Sequence, residues 1–322
     1  MQKLLKFLFI LSAKLCWILY AVINPIFGSV GQTPAISVAP DVLRSHVERL
    51  SNTEHARSYQ NLEALNTAAA YIKAEFESHT EYVQEQKYRV YNQEYKNIIC
   101  SFGPTDGERI IIGAHYDVCQ DQPGADDNAS GVAGILEIAR LLKANAPNLK
   151  HRIDLVAYTL EEPPYFRSEF MGSAVHAKSL KDNGVKVRAM VCLEMIGYFS
   201  DEPKSQEYPV GLLKLFYPTT GNFITIVGQL GKGGLTRSMK KGMSAGSSID
   251  VRSISAPRFI PGIDYSDHLN YWNYNYNAVM ITNTSWYRNA NYHMATDTPE
   301  TLDYRRMAEV VKGVYWGVIN LK

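Results

Sequence analysis

The sequence predicts an α/β three-layer sandwich with a mixed, mostly parallel central sheet flanked by helices. Short continuous apolar runs at 109–114, 154–160, 189–195 and 278–282 read as strands buried on both faces. Segments with helix-like apolar spacing lie between them. Histidines and carboxylates follow the runs immediately, as expected where a site forms at the carboxyl ends of the strands of an open sheet.

The elements follow in order. Residues 1–30 begin with Lys3 and Lys6 and continue as a run of Leu, Phe, Ile, Trp and Val interrupted by Lys14. A positive start before an apolar stretch is the pattern of a signal peptide. The later part, 15–30, falls short of the roughly 20 residues of a membrane span. With no small-x-small cleavage site, a retained N-terminal anchor stays open. Either way the chain is expected to be exported: secreted, periplasmic or membrane-attached. Residues 31–40 read as a linker, and 41–322 as one catalytic domain. Within it, 42–79 looks helical, with Ile72, Phe76 and the alanines 68–70 at helix spacing. Residues 83–99, rich in Tyr and Val, suggest strands. A helix is expected over 130–143, with Ser130 a candidate cap, and another over 169–180. Residues 200–225 read as loop, 221–239 as helix, 254–255 as a further strand, and 304–319 as a closing helix behind Pro299 and Glu300.

The chain has 322 residues, 46% of them hydrophobic, and a formal net charge of +1. This suits a globular protein with a sizeable core, and the balanced charge argues against a nucleic-acid partner. There are four cysteines: Cys16, Cys100, Cys119 and Cys192. No CxxC or zinc-ribbon spacing occurs, and a single disulfide among the last three stays open.

The chemistry-bearing residues share one position relative to the strands. His115 and Asp117 follow the first buried run. Asp126 and Asp127 precede a helix in PGADDNASG. Glu161 and Glu162 follow the second run, Glu194 closes the third, and His293 follows the last strand and a loop. All are oxygen or nitrogen donors suited to zinc, and their placement predicts convergence at one rim of the sheet.

The segments GAHYD (113–117), PGADDNASG (123–131), TLEE with MGS (159–162, 171–173), LEMIG (193–197), SDH (266–268) and YHMATDTPETLD (292–303) occur in one order. With them the chain, over roughly 85–320, resembles the M28 family of zinc aminopeptidases. The resemblance implies a zinc-dependent exopeptidase (phosphorylase/hydrolase-like) fold and two Zn2+ ions. It implies His115 and Glu194 on one ion, Glu162 and His293 on the other, and Asp126 bridging both through a segment whose Asp126–Asp127 peptide is cis. Glu161 would be the general base and Asp117 would orient His115. Tyr292 would face the oxyanion, and Asp267 and His268 would contact substrate or stabilise their loop. Peptides are the implied substrates, with an apolar N-terminal residue the default preference. Glu194 departs from the family's commoner Asp, and EEPPYFRSEFMGS is longer than the usual segment. Two alternatives remain: a single-zinc acyltransferase resembling glutaminyl cyclases, and an inactive binding homologue.

Overall fold

The computed structural model describes the backbone of residues 2–23 and 35–321, with the side chains of 2–18 and 35–321. Eight strands form one sheet: β1 (Val83–Val90), β2 (Gln93–Phe102), β3 (Arg109–His115), β4 (Arg152–Tyr158), β5 (Val187–Glu194), β6 (Phe223–Gln229), β7 (Asp250–Ala256) and β8 (Ala278–Thr282). Their order across the sheet is β1-β2-β4-β3-β5-β8-β6-β7. The central strands β4, β3, β5 and β8 pair in parallel. The β1–β2 hairpin joins β4 antiparallel. At the other side β6 runs antiparallel to β8, with β7 parallel to β6.

The apolar runs dictate this burial. In β3, Ile110, Ile112 and Ala114 enter the larger core while Ile111 enters the smaller one on the opposite face, because side chains alternate along a strand. Helices α2 (Pro40–Ser51), α3 (Leu62–Glu77), α4 (Gly131–Asn145), α6 (Gly233–Gly246) and α8 (Tyr304–Ile319) supply the larger core, through residues such as Leu43, Ile72, Leu136, Met243 and Val311. Helices α5 (Gly172–Asp182) and α7 (His268–Asn273) supply the smaller core through Leu180, Tyr271 and Trp272. From β3 the chain crosses to β4 on one side and then returns to β5 on the other. This reversal opens a crevice at the carboxyl ends of the central strands.

Three expectations need correction. The helix over 42–79 is two helices, α2 and α3. The polar stretch 52–60 breaks the apolar periodicity, and the Asn61 side chain accepts from the Ala64 amide to start α3 anew. The helix over 221–239 is β6 followed by α6. Residues 223–227 read Phe-Ile-Thr-Ile-Val, and all are buried; this β-branched run belongs in a sheet interior. SDH (266–268) leads into α7, which was not foreseen.

Near the N-terminus, α1 (Gln2–Ile23) carries exposed Leu4, Phe7, Phe9 and Trp17. No described helix is long and apolar enough to cross a membrane. The segment 1–30 and the linker 31–40 extend into residues outside those described. Cys100, Cys119 and Cys192 are buried and unpaired, so no disulfide joins them.

Candidate metal centre

The ends of β3, β4, β5 and β8 bring the candidate ligands together. Leu160 (φ 59°) and Met195 (φ 52°), just beyond β4 and β5, and His293 (φ 56°), in the loop that follows β8, adopt left-handed backbone, which costs non-glycine residues energy and tends to occur at functional sites. Each turns the chain sharply beside a polar side chain. His115 Nε2 lies 3.3 Å from Asp127 Oδ1, 3.4 Å from Glu194 Oε2 and 3.9 Å from Glu161 Oε2. His293 Nε2 lies 3.2 Å from Asp127 Oδ2 and 3.2 Å from Glu162 Oε2. The Asp127 carboxylate therefore spans two clusters, His115–Asp127–Glu194 and His293–Asp127–Glu162.

These spacings fit zinc. Two ligand atoms each about 2.0–2.1 Å from a tetrahedral ion stand about 3.3–3.4 Å apart. His293 Nε2 is buried and makes no hydrogen bond, although two carboxylate oxygens lie close by. The charges also call for cations. Burial, reinforced by Asp127, raises the Glu162 pKa to about 7; burial together with Glu162, Glu194 and Asp267 raises that of Glu161 well above its usual range. For His115, burial lowers the pKa, but the pull of Glu194 and Glu161 prevails and raises it. Divalent ions would relieve the carboxylate repulsion that lies behind these shifts.

Neighbouring residues fix the cluster. The His115 Nδ1–H donates to the Asp117 carbonyl (3.1 Å), which leaves Nε2 for the centre. The Asp117 carboxylate lies 3.5 Å from that Nδ1 and accepts the amides of Glu161 and Glu162, both at 3.1 Å. It thus orients the Glu-Glu turn as well as the histidine. Ser266 Oγ donates to Glu194 Oε2 at 2.5 Å. Asp297, in TDTPETLD, accepts the amides of Asp126 (2.9 Å) and Asp127 (3.0 Å) and so aims this pair. Gly124 precedes it at φ +59°, where a Cβ would lie 2.3 Å from the Asp127 carbonyl oxygen, so only glycine fits this turn.

Several residues sit differently from expectation. Asp126 is not the bridging carboxylate. Its Oδ1 accepts the amides of Gly197 and Tyr198, and its Oδ2 accepts the side-chain amides of Asn283 and Asn289. Asp126 thus ties three loops together, and its neighbour Asp127 faces the histidines. The cis peptide is likewise Asp127–Asn128 rather than Asp126–Asp127. His268 does not reach substrate space: it is fully buried, bonded to the Ile263 carbonyl at 2.8 Å, and packed edge-on against Trp272. Burial lowers its pKa to about 4, so the ring is neutral. Asp267 is also fully buried, does not line the cavity, and acts on Glu161 and Glu194 only through its field. Tyr292 lines the cavity and stacks on His293, with ring centroids 3.8 Å apart.

Sequence reasoning missed Arg57, which stands in a loop with no motif around it. Its guanidinium is fully buried and donates to the carbonyls of Tyr116 (2.8 Å), Leu50 (2.9 Å), Pro123 (2.6 Å) and Gly124 (2.6 Å). Burial lowers its pKa to about 10, which still leaves it charged, beside Asp297, Asp117, Asp127 and Glu162. It clamps the loops that carry His115 and Asp127. Arg57→Met would orphan these carbonyls and remove the balancing charge. The expected cost is about 3–5 kcal/mol, or a thermal midpoint roughly 6–10 °C lower by calorimetry. An unchanged midpoint would remove Arg57 from this role.

Beside the cluster opens a cavity of about 300 Å³. Asp127, Glu161, Glu162, Glu194 and His293 form one end; Tyr208, Leu213, Tyr217, Val227, Met280 and Trp286 are among the residues of an otherwise largely apolar wall.

The α/β fold, the clustered donors and the cavity together suit a metal-dependent hydrolase. The family model for peptidase family M28 matches residues 97–315, and the chain belongs to that family of zinc metallopeptidases. It is 46% identical over 307 residues to uncharacterized protein YfbL of Escherichia coli, with 93% of each chain covered. It is 26% identical over 229 residues to leucine aminopeptidase 1 of Blastomyces gilchristii, covering 67% of this chain but only 53%, about half, of that longer protein. The glutaminyl cyclase of Porphyromonas gingivalis shares the fold at a TM-score of 0.66 and 20% identity, covering 87% of this chain and 97% of that one.

Proposed function

We propose that the chain is a two-zinc aminopeptidase that releases large apolar residues from the N-termini of peptides. The observation that carries this reading is the juxtaposition of an acidic, histidine-flanked cluster with a largely apolar cavity of about 300 Å³, room enough for a large apolar side chain. His115, Asp127 and Glu194 would hold one ion, and Glu162, His293 and the shared Asp127 the other. Bound zinc polarises a carbonyl and makes water acidic enough to attack it near neutral pH. Glu161, at the cavity wall and not needed by either ligand set, accepts the proton of the attacking water and passes it to the leaving amine. Tyr292, which lines the cavity beside His293, would face the carbonyl oxygen. A bound ion would accept a free, neutral α-amine as a donor, which a blocked N-terminus cannot offer, and this supports cleavage at the N-terminus.

The count of ions also has a charge argument. With both histidines neutral, these four carboxylates balance two divalent cations. A cyclising acyltransferase with one ion would leave His293 or His115 without its cation.

The test is a panel of aminoacyl-p-nitroanilides, free and N-blocked, with zinc counted on the full chain. Release from free amines only, abolished by chelator, is expected. Leucyl and phenylalanyl substrates should exceed alanyl ones by roughly 10–100-fold in kcat/KM, because each buried methylene adds about 0.8 kcal/mol. Cyclisation of N-terminal glutamine without peptide release would sink the reading. So would equal turnover of blocked substrates.

A further inference from the structure

We propose that Cys119 is a fourth protein ligand to the ion held by Glu162, His293 and Asp127, making the two metal positions chemically unequal. This rests on the two-ion reading above. The Cys119 sulfur, a Glu162 carboxylate oxygen and a His293 ring nitrogen lie within 4.8 Å of one another. The thiol is buried and forms no disulfide. Its loop is held from both sides: the Val118 amide donates to the Arg57 carbonyl at 3.2 Å, and the Arg57 side chain grips the flanking carbonyls of Tyr116 and Pro123. His293 Nε2 also lies 3.2 Å from both Asp127 Oδ2 and Glu162 Oε2, so the other donors of this position already converge beside the sulfur.

The consequence follows from coordination chemistry. Thiolate is a soft ligand that holds zinc at about 2.3 Å, and a tetrahedral ion with four protein ligands is closed in the manner of structural zinc sites. The position between Glu162 and His293 would then have Cys, His and two carboxylates. The position between His115 and Glu194 has only nitrogen and oxygen donors and keeps room for water or substrate. Binding deprotonates the thiol, with its proton released to solvent as the sulfur–metal bond forms. The first ion would be held tightly while the second exchanges. The thiol would also be shielded from alkylating agents whenever its ion is bound.

The experiment uses the full chain loaded with cobalt(II) in place of zinc. Two cobalt ions per chain with a near-ultraviolet thiolate-to-cobalt charge-transfer band, lost in Cys119→Ser, are expected. Retention of the visible bands of the other ion in that variant would show that the fold survives. The variant should lose at least about 100-fold in affinity for one ion, beyond the 10–100-fold typical of an indirect partner. On the unaltered chain, peptide mapping after iodoacetamide should find Cys119 modified only when metal is removed. Two cobalt ions without the band, or full alkylation of Cys119 while both ions stay bound, would overturn the assignment and leave the two-ion reading intact. One ion with the band would support Cys119 and overturn the two-ion count. No cobalt uptake would overturn both.

Discussion

Glu161→Gln is expected to lower kcat for a free N-terminal substrate by roughly 10²–10⁴-fold, the range for loss of a positioned general base. KM and zinc content should hold. The reasons are local. Glutamine keeps the shape of the side chain, and the Asp117 carboxylate still accepts the amides of residues 161 and 162, so the turn after β4 stays in place. Glu161 Oε2 is 3.9 Å from His115 Nε2, further than either Asp127 or Glu194, so the ligand set is complete without it. What disappears is the ability to take up a proton, which burial and the neighbouring carboxylates Glu162, Glu194 and Asp267 favour in Glu161. Steady-state kinetics beside zinc analysis would decide. Activity within 10-fold of the parent at unchanged zinc would place the base elsewhere, whereas loss of zinc would make Glu161 a ligand.

How far the sequence reveals such a site depends on what fixes each residue. The strands 109–115, 152–158 and 187–194 are built around the largely apolar runs 109–114, 154–160 and 189–195, so the polar residues at their ends, His115, Glu161 and Glu194, were legible as rim residues. In the structure these side chains, with Glu162 and His293, do meet. β6 was misread because Phe-Ile-Thr-Ile-Val sits against a glycine-rich segment, and a short apolar run does not declare its period. The Asp126–Asp127 pair was legible as a pair and not by member. Adjacent side chains point apart, and which one faces the histidines depends on Asp297, some 170 residues away, accepting both amides. Of the two roles open to Asp267 and His268, His268 takes the second, holding its loop through the Ile263 carbonyl, because the pair opens a short helix whose far side is core, as Trp272 shows. Arg57 was out of reach because its partners are main-chain carbonyls, which carry no residue signature.

The division between Asp126 and Asp127 makes the last prediction, and the two substitutions should fail in different ways. Asp127→Asn keeps the volume but offers one oxygen where two are needed, and turns an amide NH₂ toward a histidine or its cation. Zinc per chain should fall from two to one or fewer, and kcat/KM by at least about 10³-fold, as expected when groups that act as a unit lose a shared member. The fold should persist, because the remaining hydrogen bonds of this segment run through Asp126, Asn128 and Ser130. Asp126→Asn should do the reverse. Its carboxylate meets only donors, the amides of Gly197 and Tyr198 on one oxygen and Asn283 and Asn289 on the other. An amide NH₂ placed among them sets donor against donor in a fully buried position. The cost is about 2 kcal/mol for a charged acceptor lost in the interior, or a thermal midpoint lower by roughly 4 °C. Below that midpoint the folded variant should still bind zinc, because neither Asp126 oxygen faces His115 or His293. Calorimetry and metal analysis on both variants separate the cases. If Asp126→Asn lost zinc at an unchanged midpoint while Asp127→Asn kept both ions, the bridging role would return to Asp126 and the geometry described for this centre would be wrong.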